Sequence, residues 1–157
     1  MTREDFITHV EGTQRAFRRF LVALCCGDSQ LADDIAQESL IKAYLSSEGF
    51  RDADKFTSWI YRIGYNTFLN YRRSAKKTEG YGAAEEVPAQ EATDSVFRYQ
   101  ALYAALDRLS ATERTSIILF YMEGYSIKEI TEIENVSQDA VKKHLSRGRM
   151  HLRDLMK

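Results

Sequence analysis

Apolar residues return every three or four positions along nearly all of this chain, and that period is the strongest constraint on its fold. The one stretch without it, Thr78 to Ser95, contains the chain's single proline, Pro88. A helical stripe begins with Phe6 and Val10 and continues with Phe17, Phe20, Leu21 and Leu24. Gly12 interrupts it and Gly27 closes it, so two consecutive helices are expected there. After Asp28 or Ser29 as N-cap, Ala32, Ile35, Ala36, Ser39, Leu40 and Ala43 make the next buried stripe. A loop over 46–54 leads to Phe56, Trp59, Ile60, Ile63 and Thr67, a third stripe in which Trp59 belongs to the core. The expected fold class is all-α, with two small helical domains joined by a flexible linker. Residues 1–77 make the first domain, 78–95 an acidic linker and 96–157 the second domain. A linker of 18 residues reaches at most about 60 Å, which would let the two domains sit well apart on one ligand.

Beyond the linker Val96, Tyr99, Leu102, Tyr103, Leu106 and Leu109 form another amphipathic stripe. Ser110 with Glu113, and Ser126 with Glu129, each have the spacing of a capping box, and a further helix starts at Ser137. A short helix, a tight turn and a basic second helix make a helix-turn-helix pattern, whose second helix can enter the DNA major groove. At about 100° per residue Val141, Leu145, Gly148, Leu152 and Leu155 share the packing face, and Asp139, Lys142, Lys143, Ser146 and Arg147 point away. Gln138, Asp139, Lys142 and Lys143 are early enough to reach base edges, with the later arginines placed for phosphates. An amphipathic terminal helix with a charged outer face fits the same spacing.

The net charge is −1, but it hides blocks of opposite sign. Arg51, Lys55, Arg62, Arg72, Arg73, Lys76 and Lys77 face only Asp52 and Asp54, and the segment from Ser137 onward is also basic. An acidic segment lies between them, which suits two polyanion-binding surfaces, or simply solvated helix faces. On the helix after Phe56, the side carrying Tyr61, Tyr65 and Phe68 interleaves aromatics with Arg62, Arg72 and Lys76 and is expected to face outward. Such a face fits unpaired DNA, whose bases stack on aromatic rings, although each ring alone fits a core equally well. On the second helix Asp33, Asp34, Gln37, Glu38 and Ile41 lie opposite the buried stripe, as a solvated face or as a docking surface for a basic partner.

Other chemistry finds little footing. Carboxylates without histidine or cysteine at ligand spacing argue against a metal, and no cofactor motif is present. Cys25 and Cys26 are adjacent, which fits small buried residues in a reducing cytosol. His9, His144 and His151 have no catalytic company, so neither an enzyme nor a small-molecule substrate is expected. No run approaches the roughly 20 apolar residues of a membrane span, and the N-terminus lacks a signal-peptide core, so no membrane insertion and a cytoplasmic location are expected.

Three blocks, GDSQLADDIAQESLIKAY from Gly27, FTSWIYRIGYNTFLNYRRS from Phe56 and LSATERTSIILFYMEGYSIKEITEIENVSQDAVKKHLSRGRMHL from Leu109, occur in this order. Together they resemble extracytoplasmic-function (ECF, group IV) RNA polymerase sigma factors. The resemblance implies a protein that binds core RNA polymerase, recognises the −35 and −10 promoter elements and promotes transcription initiation. It implies that Asp34, Gln37 and Glu38, with Asp33 and Ile41, dock on the clamp helices of the largest subunit. Arg62, Tyr65, Asn66, Arg72 and Arg73 would melt the −10 element and capture a flipped base. Ser137 to Arg149 would read the −35 element, and the acidic linker would thread the RNA channel. An anti-sigma factor is implied as a further partner. The sequence departs from the family where Gly64 and Tyr65 replace Ala and Arg, where Asn70 replaces Asp, and where Thr131, Glu134 and Asn135 replace Ala, an apolar residue and the turn glycine. Competing readings are a stand-alone helix-turn-helix regulator and a helical protein-binding adaptor.

Overall fold

A computed structural model describes residues 1–77 and 94–156, so most of the expected linker lies outside the described residues. Every regular element described is helical: α1 (Arg3–Leu24), α2 (Ser29–Ser46), α3 (Phe56–Lys77), α4 (Asp94–Asp107), α5 (Ala111–Ile117), α6 (Ile127–Glu134) and α7 (Gln138–Leu155). Asp94 and Ser95, read as the end of the linker, open α4 instead.

Helix α1 is one continuous helix, which corrects the break expected at Gly12. A glycine in a helix interior costs only about 1 kcal/mol, and packing on both sides of it outweighs that. Ahead of Gly12, Phe6 meets Phe56 and Tyr44 edge-on with ring centroids 6.0 and 5.5 Å apart. Behind it, Phe17, Phe20, Leu21 and Leu24 are buried. The chain turns at Cys26 and Gly27, whose φ angles are 53° and 90°. Asp28 then caps α2, its Oδ1 accepting from the Leu31 N–H at 3.1 Å. Helices α1, α2 and α3 pack mutually around Ala32, Ile35, Phe56 and Ile60.

In the second half α5 widens into a π-helical turn, Ile118–Met122, and the chain reverses at Gly124 with φ 77°. Helix α7 packs on α5 along Val141 and Leu145 and touches α4 and α6. The two halves also pack on each other, because α3 lies against α6 and the π turn reaches α1. Several contacts hold this joint, among them a Lys55–Glu132 ion pair at 3.7 Å and the three that follow. Arg19 of α1 forms a two-pronged ion pair with Glu123, at 2.9 and 3.1 Å. Tyr61 of α3 meets Tyr125 edge-on at 5.4 Å. Buried Arg114 of α5 donates to the carbonyls of Leu24, Leu106 and Asp107 at 2.9, 2.9 and 3.0 Å. Those oxygens lie at the C-terminal ends of α1 and α4, where carbonyls lack helical partners and the helix dipole favours a cation.

Candidate nucleic-acid and protein interfaces

The helix-turn-helix is built by local chemistry. Glu129 N–H donates to Ser126 Oγ at 3.1 Å while Ser126 N–H donates to Glu129 Oε1 at 3.1 Å, so the expected capping box closes at the start of α6. Ser110 and Glu113 form the same box ahead of α5. Asn135 ends α6 in the left-handed conformation, φ 57° and ψ 50°, which asparagine tolerates better than most residues. Ser137 then caps α7 through Ala140 N–H, at 3.1 Å. Val141, Leu145 and Gly148 are buried, with Leu152 and Leu155 partly so. Gln138, Asp139, Lys142, Lys143, Ser146 and Arg147 all remain exposed, and so does Ser137 at the cap. Among the described residues, no carboxylate pairs with Lys142, Lys143 or Arg147.

Helix α3 differs from expectation. Tyr61, Tyr65 and Phe68 are buried, not outward. Tyr61 stacks on Phe20 at 4.7 Å on one side and meets Tyr125 on the other. Burial pushes its phenol upward in pKa, and pushes Tyr65 up to about 12 with the charge of Glu134 adding to the effect. The reason is tertiary: at these positions α3 has α1 beneath it and α6 above it. The exposed residues of α3 include a narrower stripe of Arg62, Asn66, Asn70 and Arg73. Arg72 is partly buried, its guanidinium 5.8 Å over the Phe68 ring, and burial lowers its pKa. Trp59, expected in the core, is only partly buried and stacks on Phe50 at 4.3 Å, one helical turn ahead of Arg62. The available signal was the spacing itself, since positions 59, 62, 66, 70 and 73 follow one helical face.

On α2, Asp34, Gln37 and Ile41 are exposed. Asp33 pairs with Arg18 at 2.8 Å and Glu38 with Lys42 at 3.4 Å. Tyr44 and Leu45 extend this face, which sequence reasoning missed. Ile41 is 61% and Leu45 76% exposed, so the acidic face carries an apolar end. Their offset from the buried stripe at Ile35, Ser39 and Ala43 was the readable clue. Carboxylates beside exposed aliphatics suit a protein surface better than a polyanion.

Among the described residues no group of three or more His, Cys, Asp or Glu side chains could hold a metal ion. Burial pushes the Cys25 and Cys26 thiols up to about 12 and about 11, which keeps both in the neutral form. Among the described residues no helix is long and apolar enough to cross a membrane.

An acidic and apolar helix face, a basic stripe on α3 and a helix-turn-helix define a multi-surface DNA-binding factor, and its relatives specify which kind. Sigma-70 region 2 matches residues 9–78 and Sigma-70, region 4 matches residues 99–152. The ECF RNA polymerase sigma factor SigW of Bacillus subtilis is 32% identical, over 81% of this chain and 76% of that protein. SigM of Mycobacterium tuberculosis is 28% identical, over 98% of this chain and 83% of its own. Among solved structures, the sigma factor RpoE from Bartonella quintana, crystallised with the anti-sigma factor NepR, superposes with a TM-score of 0.79 at 26% identity. The match covers 98% of this chain and 97% of RpoE. CnrH, solved with the cytosolic domain of CnrY, shares the fold, with a TM-score of 0.71 at 23% identity over 99% and 89% of the two chains. The chain belongs to the ECF RNA polymerase sigma factors. It acts as an alternative sigma factor in transcription initiation.

Proposed function

We propose the following division of labour among the three surfaces. The α2 face of Asp33, Asp34, Gln37, Glu38 and Ile41, extended by Tyr44 and Leu45, docks on core RNA polymerase at the clamp helices of its largest subunit. Its carboxylates suit a basic partner and its exposed aliphatics suit a desolvated centre. The α3 stripe of Arg62, Asn66, Arg72 and Arg73, with Asn70, holds the −10 strand, and Trp59 offers it a stacking ring. Tyr61 and Tyr65 join that surface once α6 leaves α3. Ser137, Gln138, Asp139, Lys142, Lys143, Ser146 and Arg147 meet the −35 element. There Gln138, Asp139, Lys142 and Lys143 can reach base edges, and Arg147 the phosphates, with the two lysines near enough to the backbone to neutralise phosphates as well. Residues 1–77 thus act at the polymerase and the −10 element, residues 96–157 act at the −35 element, and 78–95 tether them.

The protein works by binding rather than catalysis, in the cytoplasm, with the polymerase supplying the chemistry. RpoE and CnrH were each solved with a partner, NepR and the cytosolic domain of CnrY, and this supports an anti-sigma factor as a further partner here. The observation that carries the reading is the exposed, unpaired basic side of α7 behind a fully capped helix-turn-helix. Transcription in vitro tests it: pure chain, core polymerase and promoter-rich DNA should yield RNA with defined start sites. Initiation no different from core polymerase alone would overturn it.

A further inference from the structure

The joint between the two halves closes over a carboxyl group. Glu134 is the last residue of α6, and its side chain is 1% exposed. Its Oε2 accepts from Ser116 Oγ of α5 at 2.7 Å, but Oε1 is buried without a hydrogen-bond partner. From α7 the nearest titratable group is His144, with Nδ1 3.9 Å from Oε1. From α3 the phenol of Tyr65, itself only 4% exposed, is near enough for its pKa to be raised by the Glu134 charge. The remaining charges act one step removed, Glu113 of α5 and Arg147 of α7 on His144, and Arg72 of α3 on Tyr65. Among the described residues no lysine or arginine forms an ion pair with Glu134. Nor can the side chain easily swing out, because Ile130 and Ile133 anchor α6 and the left-handed Asn135 follows at once.

A buried carboxylate with one oxygen unmatched is far costlier than a neutral carboxyl in the same place. On the α3 side, helix α6 packs against α3, and the buried phenol of Tyr65 on α3 is close enough to sense the Glu134 charge, so this is the side that parting of the two helices would open. We propose that Glu134 is a proton-operated latch: α6 stays seated on α3 while its carboxyl is neutral, and ionisation favours release of α6, baring Tyr65 and Tyr61. The consequence for promoter binding rests on the assignment of α3 given above, but the movement itself does not.

The direction follows from linkage. Burial raises Glu134 from 4.5 to about 7, against the opposing hydrogen bond from Ser116. Release hydrates the carboxyl and brings it back toward its ordinary value, so the closed form binds the proton more tightly than the open one. The closed form is therefore fully favoured below the open-state value, and the advantage is lost as pH rises through about 7. Burial lowers His144, so it supplies no compensating positive charge near neutrality.

Small-angle scattering of the full chain from about pH 5.5 to about pH 8 tests this, with helix content followed by circular dichroism. The radius of gyration should grow with rising pH at constant helix content, the open-to-closed ratio increasing by up to about tenfold per pH unit. Glu134→Gln should stay compact throughout. Should that variant fail to fold, Ser116→Ala serves instead: it removes a hydrogen bond that favours the charged form of the closed state, so ionisation costs that state more and the expansion reached at about pH 8 should exceed that of the wild type. A pH-independent radius in the wild type overturns the latch, as does an unchanged pH response in Glu134→Gln or Ser116→Ala, or expansion in step with helix loss. If expansion occurs as expected while affinity for single-stranded promoter DNA stays flat, the latch stands and the assignment of α3 falls.

Discussion

Gly64 shows how much rests on a missing atom. A Cβ built there would lie 2.5 Å from Phe17 Cε1 and 2.7 Å from Cζ, and that ring is only 2% exposed, with no room to retreat. Alanine would gain about 1 kcal/mol of helix propensity, while overpacking a core contact costs about 1 to 3 kcal/mol, so the clash wins. Gly64→Ala is expected to lower the unfolding free energy by about 1 kcal/mol in urea titration, and adding Phe17→Leu should couple favourably with it. The sequence reveals the glycine as a departure from its family. It does not reveal Phe17 as the reason, because the two residues meet only when α1 crosses α3. Ser126, Asn135 and Ser137 are the opposite case, since each acts on its own backbone neighbours and is readable from the chain alone.

Among the elements, α7 was legible almost completely. Its packing stripe and its polar side repeat at the helical period, and the burial follows that repeat. The exposed Lys142, Lys143 and Arg147 support an ionic test of promoter binding. Replacing each by alanine should reduce the slope of log affinity against log salt by about 0.9 for every phosphate that is no longer neutralised, measured by fluorescence titration. Unaltered slopes would mean that another face meets the DNA. Helix α3 was legible as a helix but not in its orientation. It has neighbours on two sides, and the period of one helix cannot say how many of its faces are covered. The same limit made Gly12 look like a break in α1, when packing by Phe6 and Phe17 on either side carries the helix through.

At the scale of the whole molecule, the decisive feature is that the halves are packed together, although the linker would let them sit apart. Arg19 and Glu123 test this joint without touching the proposed DNA surface. Arg19 is 60% exposed but Glu123 only 2%, and the geometry is two-pronged, so the pair is worth about 1 kcal/mol, or about fivefold in the closed population. Arg19→Glu alone and Glu123→Arg alone should each expand the protein in small-angle scattering, and the double exchange should restore compactness. Expansion in the double exchange equal to the sum of the singles would show that the pair does not hold the joint.

What the sequence determined by itself is whatever depends on residues within about two helical turns: helices α2 to α7 nearly in place, both capping boxes, the left-handed turn at Asn135 and the exposed side of α7. These follow from local hydrogen bonds and from one helix's own period. Only the tertiary structure decided that Tyr61 and Tyr65 are hidden, that Trp59 lies beside the exposed stripe and that Glu134 is enclosed between α3, α5 and α7. Those outcomes depend on which segments meet in space, and burial is a property of the meeting, not of either partner.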